Sequence, residues 1–341
     1  SGFSTALTAI DFITLQMEYR ALMAEFNEYL ARQSTLSAQE MEAEQTRFRN
    51  EQLELISQYT AFIDANPYFS AIEQPGGGSL AEAADLYYNL AELQYYAIPT
   101  DLTLALNSYK RALQLDPLLP DRDLALYNVA FISSELQRRA VDDAKIAYRE
   151  TARGLDNPPA NALYSQQNFS EAHESLTEIV ENYPESKIWE ESVYRLGLLY
   201  FSYSTDSDDP DPLRAQALDY FDQIVAKPKS PLYYDALYQR GWVRLNSMDQ
   251  DDLRLAMTDF MELLMATDAG LISDPQVAAD YREDAVDNIA YCLIALDGTD
   301  FNARSRGVAE LQRVFEGYSN QQIVEQVLDR STSLKLDMGV S

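Results

Sequence analysis

The amino-acid sequence predicts an all-α protein in which antiparallel helix hairpins stack as a solenoid, and three observations lead to this fold class. Apolar residues recur at three- to four-residue spacing along nearly the whole chain, which is the period of an amphipathic helix. No stretch keeps the two-residue alternation of a half-buried strand between turn residues. A pattern of proline, serine, tyrosine and glycine recurs after 44 residues, which indicates that a helix hairpin is repeated.

The N-terminal residues predict a helical hairpin. Apolar residues at helical spacing extend from Phe3 to Arg32 and predict its first helix. Ser37 and Glu40 have the spacing of a capping box, in which each side chain caps the other residue's backbone N–H, so a second helix begins there. Pro67 closes this second helix, because proline has no N–H to continue the helical hydrogen bonds.

A break in composition separates two predicted parts of the chain. Residues 74–79 hold one proline and three glycines and end at Ser79, which is a suitable N-cap for the next helix. We interpret residues 1–66 as a helical hairpin that forms a diverged cap repeat. Residues 67–341 are predicted to form the solenoid, with about five repeats and a C-terminal helix.

The repeated pattern predicts where two helices of a hairpin approach closely. Its two copies are Pro184, Ser186, Tyr194 and Gly197, and then Pro228, Ser230, Tyr238 and Gly241. The helix that follows each copy has an alanine with larger apolar residues four and seven positions later: Ala217, Phe221 and Ile224, and then Ala256, Phe260 and Leu263. We expect the two glycines to lie at close helix contacts, with the large residues filling the space between helices.

These features resemble the tetratricopeptide repeat (TPR) family over about residues 79–318. The residues that carry the resemblance are Tyr87-Tyr88-Asn89-Leu90-Ala91, Leu196-Gly197 followed by Tyr200, and Asp116-Pro117. The resemblance implies a right-handed superhelical solenoid. The sequence departs from the family pattern at Gln94, where an aromatic residue is usual, at Arg240, where leucine is usual, and over residues 157–168, which make a poor first helix.

The long repeat spacing and the ending Tyr183-Pro184-x-Ser186 are similar to those of TPR proteins of the Gram-negative cell envelope. Those proteins include β-barrel-assembly lipoproteins and Tol–Pal-associated coordinators. This likeness implies a bacterial protein that is periplasmic or associated with the outer membrane, and it is compatible with a place in a larger envelope complex.

Composition excludes several classes of function. With 55 acidic and 26 basic residues the formal net charge is −29, so we expect no binding to nucleic acid or to anionic lipid surfaces. The single cysteine, Cys292, excludes an intrachain disulfide, and the single histidine, His173, leaves little scope for metal or Ser-His chemistry. No apolar run approaches the ~20 residues of a membrane helix, so we expect no membrane insertion. No cofactor is predicted.

An acidic segment between two predicted helices raises the possibility of a calcium site. Residues 204–212 contain Asp206, Asp208, Asp209 and Asp211. The glycine and glutamate that an EF-hand loop needs at its sixth and twelfth positions are missing. We therefore expect a solvated loop, and no metal site is predicted.

Spacing also predicts which residues form the binding surface. Positions i, i+3 and i+7 of the first helix in each repeat share one face, and by the TPR resemblance this face lines the concave groove. The predicted concave-face residues are Asp85, Tyr88, Glu92, Tyr95, Tyr127, Phe131, Glu191, Tyr194, Asp235, Tyr238, Trp242, Asp287 and Tyr291. An acid beside an aromatic residue would suit an extended peptide with basic or apolar side chains. In the alternative interpretation, the tyrosines simply pack between hairpins.

Two asparagines bear on the kind of ligand. Asn89 and Asn128 match positions that some TPR domains use, together with lysines, to hold a C-terminal carboxylate. No lysines accompany them here, so we expect no carboxylate clamp. Buried amides need hydrogen-bond partners, so we expect both asparagines to bond to neighbouring backbone or helices.

The sequence thus predicts a non-catalytic protein–protein interaction scaffold, an assembly factor of the bacterial cell envelope that binds extended segments in an acidic, tyrosine-rich groove. Two alternatives stay open. One is a cytosolic TPR assembly chaperone. The other is a helical-toroid glycoside hydrolase with paired carboxylates, against which stands the small number of tryptophans available for sugar stacking, namely Trp189 and Trp242.

Overall fold

The computed structural model describes residues 2–67, 80–99, 101–152, 170–205, 207–297, 304–316 and 321–337. Throughout these ranges the chain is α-helical apart from a short 3-10 helix, turns and connections, and no strand occurs in them. The prediction of an all-α protein is therefore confirmed. The poor helix predicted at residues 157–168 and the break at residues 74–79 lie outside the described residues.

The chain divides into two compact units, Ser1–Ile188 and Trp189–Ser341. The first unit contains α1 (Gly2–Arg32), α2 (Ala38–Ala65), α3 (Leu80–Ala97), α4 (Leu102–Leu115), α5 (Arg122–Ala152) and α6 (Ser170–Asn182). The second contains α7 (Trp189–Thr205), α8 (Asp211–Val225), α9 (Tyr233–Ser247), α10 (Gln250–Asp268), α11 (Pro275–Asp297), α12 (Arg304–Val314) and α13 (Gln321–Asp337). The division at residues 66 and 67 that the sequence suggests stays a prediction.

In the first unit each helix packs against the next one along the chain, from α1 to α6. The predicted capping box is present at the start of α2, where the Glu40 N–H donates to Ser37 Oγ at 3.3 Å and the Ser37 N–H donates to Glu40 Oε2 at 2.9 Å. Leu15 and Tyr59 form part of the core between α1, α2 and α3. Ile10 and Met17, which belong to the apolar pattern of α1, are exposed.

In the second unit the helices from α7 to α12 each pack against the next one along the chain, and α13 packs against α11. In addition α7 contacts α9, α9 contacts α11, and α10 contacts α12. The two predicted glycine contacts are confirmed. A Cβ atom on Gly197 would lie 2.7 Å from Phe221 Cε1, and one on Gly241 would lie 2.8 Å from Phe260 Cζ. Both phenylalanines are fully buried, so the glycines allow the rings to press against the helix backbone.

The two Pro-x-Ser segments form the same kind of turn. Ser186 Oγ accepts a hydrogen bond from the Ile188 N–H at 3.2 Å and donates to Asp123 Oδ2 at 2.6 Å. Ser230 Oγ accepts from the Leu232 N–H at 3.2 Å and donates to Glu190 Oε2 at 2.8 Å. In both cases the acceptor carboxylate lies in the first turn of the helix two elements earlier, α5 or α7. The repeated sequence pattern thus corresponds to a repeated pattern of hydrogen bonds.

Arg240, where the family pattern has leucine, belongs to a buried ion network that joins α8, α9 and α10. Its guanidinium donates to both oxygens of Asp259, at 3.2 and 2.6 Å, and to Asp222 Oδ1 at 2.7 Å. Arg244 Nη1 donates to Asp259 Oδ2 at 2.6 Å. The Asp259 side chain is only 3% exposed, so its charge depends on these two arginines.

Candidate functional site

The predicted concave-face residues of the first unit lie on α3 and α5. They are Asp85, Tyr88, Glu92 and Tyr95 on α3, and Tyr127 and Phe131 on α5. Asp85 is exposed, and the other five are half-buried. The pKa of Asp85 is raised by partial burial and by neighbouring carboxylates, of which Asp116 contributes most.

Glu92 is part of a hydrogen-bonded cluster between α3, α4 and α5. It accepts a hydrogen bond from the Tyr109 hydroxyl, and Asn128 Nδ2 donates both to Glu92 Oε1 at 3.2 Å and to Tyr109 Oη at 2.9 Å. Burial raises the pKa of Glu92, and the Tyr109 hydrogen bond opposes that rise. The edge of the Tyr88 ring packs on Tyr109 at a centroid distance of 5.7 Å. Glu92 therefore stabilises a contact between helices in this structure.

Tyr95 on α3 and Phe131 on α5 also pack between helices. Tyr95 contacts Phe131 edge-on at a centroid distance of 6.5 Å and Tyr96 at 5.2 Å. Asn89 donates to Gln16 Oε1 on α1. The expectation that Asn89 and Asn128 bond to neighbouring helices is confirmed.

In the second unit, the predicted residues Glu191 and Tyr194 of α7 each contact a neighbouring side chain. Glu191 forms an ion pair with Arg195 at 2.8 Å, one helical turn later. The Tyr194 ring packs edge-on against Phe221 at a centroid distance of 5.8 Å. Burial and the charge of Asp235 raise the pKa of Tyr194 to about 12, so its phenol stays protonated at neutral pH.

Two hydrogen bonds join α9 to α11, and each helix provides one donor and one acceptor. The Tyr238 hydroxyl donates to Asp284 Oδ2 at 2.8 Å, and the Tyr281 hydroxyl donates to Asp235 Oδ1. Both pairs are separated by 46 residues, and the two tyrosine rings lie 5.2 Å apart between centroids. Burial and the bond to Asp284 help raise the pKa of Tyr238 to about 12. The predicted neighbours Asp235 and Tyr238 are thus bonded to Tyr281 and Asp284 on α11, and not to each other.

Trp242 and Tyr291 are brought together from α9 and α11 at an apolar pocket of about 510 Å³. The pocket, here called the second-unit pocket, is lined by Trp242, Leu245, Asn246, Met248, Tyr291, Ile294 and Ala295. Tyr291 is 41% exposed and Met248 is 62% exposed. Two large apolar side chains therefore meet solvent at a concave part of the surface.

Met248 is a residue of this pocket that the sequence analysis missed. It ends α9 with φ 59° and ψ 8°, in the left-handed region that glycine or asparagine usually occupies at such a position. A side chain there costs free energy, and residues held in such conformations cluster at functional sites. The sequence signal is the lack of glycine where α9 ends, which could have directed attention to this position.

Asp287, the remaining predicted acid, is engaged with the C-terminal helix. Arg330 Nε and Nη2 donate to its two carboxylate oxygens at 2.7 and 2.8 Å. This hydrogen bond and the charge of Asp287 raise the pKa of Arg330. Asp287 and Arg330 therefore form a bidentate ion pair between α11 and α13.

Other chemistry has few candidate groups in the parts of the chain that the structure describes. No cluster of three or more His, Cys, Asp or Glu side chains is positioned there to hold a metal ion. Asp208 and Asp209 are exposed in the connection between α7 and α8, and Asp206 lies outside the described residues. Within the same ranges, none of the helices combines the length and apolar character needed to span a bilayer.

Comparison with known proteins gave no match. No protein-family model, no curated protein and no solved structure is significantly similar to the chain.

Proposed function

We propose that the protein is a non-catalytic scaffold that binds a segment of a partner protein, and that an apolar side chain of this segment occupies the second-unit pocket. The observation that carries the proposal is the pairing of Trp242 and Tyr291 around an open apolar cavity. Tryptophan and tyrosine are the residues most enriched among those that dominate binding energy at protein interfaces.

The lining of the pocket suits large aliphatic or aromatic side chains of a bound segment. Its volume of about 510 Å³ is within the usual range of ligand sites. Complete burial of such a side chain contributes about 1.5–3 kcal/mol. The main polar group among the lining side chains, apart from the tyrosine hydroxyl, is the Asn246 amide, whose nitrogen donates to the Trp242 carbonyl oxygen at 2.9 Å. The pocket therefore favours an apolar anchor.

The net charge of −29 supports a partner segment with basic residues beside its apolar anchor. A field of one sign increases the rate at which an oppositely charged partner associates, and this increase weakens as salt is added. Within the second unit the Asp284 carboxylate, one helical turn before Asp287, is exposed. We propose that such carboxylates guide the partner, whereas Trp242 and Tyr291 hold it.

A TPR-like solenoid is the architecture that we propose for this scaffold. The repeated Pro-x-Ser turns support it, as do the matching contacts of Gly197 with Phe221 and of Gly241 with Phe260. Repeated hairpins offer a long surface for recognition. A place in the bacterial cell envelope follows from the likeness in repeat spacing alone, and fractionation of cells that produce the protein tests it. Recovery in the cytosol would favour the assembly chaperone instead.

Selection of peptides against the whole chain tests the binding site. Peptides from a random library that bind the wild type should contain a large apolar residue flanked by lysine or arginine. Trp242→Ala should weaken their binding at least about thirtyfold, which corresponds to the ≥ 2 kcal/mol typical of a buried aromatic anchor. Fluorescence anisotropy with a labelled peptide gives the dissociation constants.

Trp189→Ala is the matched control, because Trp189 lies at the start of α7 outside the second-unit pocket. We expect this variant to bind the selected peptides as the wild type does. Tyr291→Ser should weaken binding with little effect on the melting temperature, since Tyr291 is 41% exposed. Equal binding by wild type and Trp242→Ala, with both proteins folded, would refute the assignment of the site.

A further inference from the structure

A second pocket lies in the first unit, and none of the predicted concave-face residues lines it. It has a volume of about 430 Å³ and is formed by α1, α2 and the end of α3. Four of its thirteen lining residues are aromatic, namely Phe26 and Tyr29 from α1, Phe48 from α2 and Tyr96 from α3. The Phe26 ring meets Phe48 edge-on at 5.3 Å and Tyr96 edge-on at 5.2 Å between centroids. We call it the first-unit pocket.

Two side chains that line the first-unit pocket carry buried polar atoms without a hydrogen-bond partner among the described residues. These atoms are the Tyr29 hydroxyl and Gln52 Nε2. Tyr29 is 1% exposed and Gln52 is 2% exposed. A buried polar group without a partner destabilises the folded state, and most such groups in proteins are bonded to something.

Tyr59 shows how a buried tyrosine of the same unit is normally accommodated. It is fully buried, and its hydroxyl donates to the Leu15 carbonyl oxygen at 3.3 Å. Tyr29 is buried to nearly the same extent and packs on Phe48 at 5.4 Å between centroids, but its hydroxyl has no such acceptor in the part of the chain that the structure describes. Both side chains line the same cavity, and small side-chain shifts would bring these two shielded atoms within reach of a ligand that completes their hydrogen bonds.

We propose that the first-unit pocket binds a small, uncharged aromatic molecule that carries an amide or another carbonyl group. The Gln52 amide donates to the carbonyl oxygen, and the Tyr29 hydroxyl donates to the same oxygen or accepts from the ligand's N–H. The aromatic body of the ligand packs against Phe26, Phe48 and Tyr96.

The electrostatics of the site favour a neutral ligand. The two unsatisfied groups carry no formal charge, and the exposed lining residues Glu42 and Arg49 have opposite signs. The chain as a whole, with a net charge of −29, repels anions. Two neutral donors without a nearby excess of positive charge do not offset the loss of a carboxylate's hydration.

Benzamide is the probe for this site, with toluene and benzoate as matched ligands. Toluene keeps the aromatic ring without a hydrogen-bonding group, and benzoate replaces the amide by a charge. Titration of the whole chain, followed by ligand-observed nuclear magnetic resonance, should give saturable binding of benzamide at millimolar concentration. We expect toluene and benzoate to bind at least about tenfold more weakly, because each loses one of the required interactions.

The paired substitutions Tyr29→Phe and Gln52→Leu remove both unsatisfied groups and keep the approximate shape of the side chains. The double variant should bind benzamide at least about tenfold more weakly, yet its melting temperature should equal or exceed that of the wild type. Tyr59→Phe is the control: it removes a bonded hydroxyl, so it should lower the melting temperature and leave benzamide binding unchanged.

Three results would overturn the proposal. These are the absence of saturable benzamide binding to the wild type, unchanged benzamide affinity in the double variant, and a lower melting temperature for Tyr29→Phe of the same size as that for Tyr59→Phe. Trp242→Ala should bind benzamide normally, so the outcome at the first-unit pocket is independent of the outcome at the second-unit pocket.

Discussion

At the scale of single residues, the two glycines of the second unit set how closely pairs of helices approach. The ring of Phe221 occupies the space that a Cβ atom on Gly197 would need, at 2.7 Å. A phenylalanine ring is rigid and here fully buried, so it has little room to move aside. The contact is therefore intolerant of any added atom.

We predict that Gly197→Leu lowers the free energy of unfolding by ~1–3 kcal/mol through overpacking. Urea denaturation followed by circular dichroism measures this change. The companion pair Gly197→Ala and Phe221→Leu provides a control, because the second substitution makes space for the first. The double variant should lose less stability than the sum of the single variants, and strict additivity would mean that the contact is misplaced.

Glu92 also holds helices together through hydrogen bonds. The titration of its carboxyl group makes the stability of the fold depend on pH. Burial raises its pKa above the ordinary value of 4.5, so the folded state binds the proton more tightly than the unfolded chain does. The stability contributed by this group is present below the unfolded pKa and decreases as the pH rises through the folded pKa.

We predict that Glu92→Gln is at least as stable as the wild type at pH 7, because glutamine keeps the acceptor for Tyr109 and Asn128 without the buried charge. The advantage of the variant should shrink as the pH falls toward ~4.5, where the wild-type carboxyl becomes protonated in both states. Unfolding free energies between pH 4.5 and 7 test this, with the exposed Glu54→Gln as control. A variant less stable than the wild type at pH 7 would contradict the prediction.

At the scale of helices, periodicity and local chemistry predicted much of what the structure contains. The capping box at Ser37 and the close approach at Gly197 follow from residue types at fixed spacing, which act within one or two helices. By contrast, Ile10 and Met17 share the apolar spacing of buried residues but are exposed, because spacing does not tell which part of a long apolar face receives a neighbour.

The polar contacts between helices could not be predicted, since they depend on partners far apart in the sequence. Tyr238 and Asp284 are 46 residues apart, and nothing local indicates that a predicted surface tyrosine bonds to an acid on α11. For the same reason Trp242 and Tyr291 were predicted individually, whereas the pocket that they share with Met248 was not. Arg240 was noticed as a departure from a pattern, but its partner Asp259 was not identified.

The network around Asp259 allows a prediction at this scale, because it fastens α8, α9 and α10 together. We predict that Asp259→Leu lowers the free energy of unfolding by about 3–5 kcal/mol, since it leaves Arg240 and Arg244 buried without their shared carboxylate. Thermal and urea denaturation measure the change.

Asp222→Asn is the matched control, because Asp222 also bonds to Arg240 but its side chain is 51% exposed. Water and salt screen this outer pair, so its loss should cost less than about 1 kcal/mol. Equal losses for the two variants would mean that the buried Asp259 pairs contribute no more to the free energy of unfolding than the exposed Asp222 pair does.

At the scale of the whole molecule, the excess of negative charge should influence stability. Even if each of the 26 basic residues neutralised one acid, 29 of the 55 acidic residues would remain without a compensating charge. Mutual repulsion of these carboxylates disfavours the compact state, and salt at about 0.1 M screens repulsion at distances beyond about 10 Å.

We predict that the melting temperature rises as the sodium chloride concentration increases from near zero to about 300 mM. Differential scanning calorimetry at constant pH provides the measurement. Calcium chloride should have no larger effect than magnesium chloride at the same ionic strength. A flat or falling response to sodium chloride would show that the acids are well spread or locally compensated.

The two hydrogen bonds between α9 and α11 have a consequence for how the second unit folds. The order along α9 is acid then tyrosine, at Asp235 and Tyr238, and along α11 it is tyrosine then acid, at Tyr281 and Asp284. If α11 slid by one turn in one direction, two carboxylates would face each other, and in the other direction two phenols would meet without a carboxylate to accept from them. Only one alignment of α9 with α11 therefore pairs each tyrosine with a carboxylate. A slipped or exchanged hairpin would lose both pairs and would be disfavoured during folding.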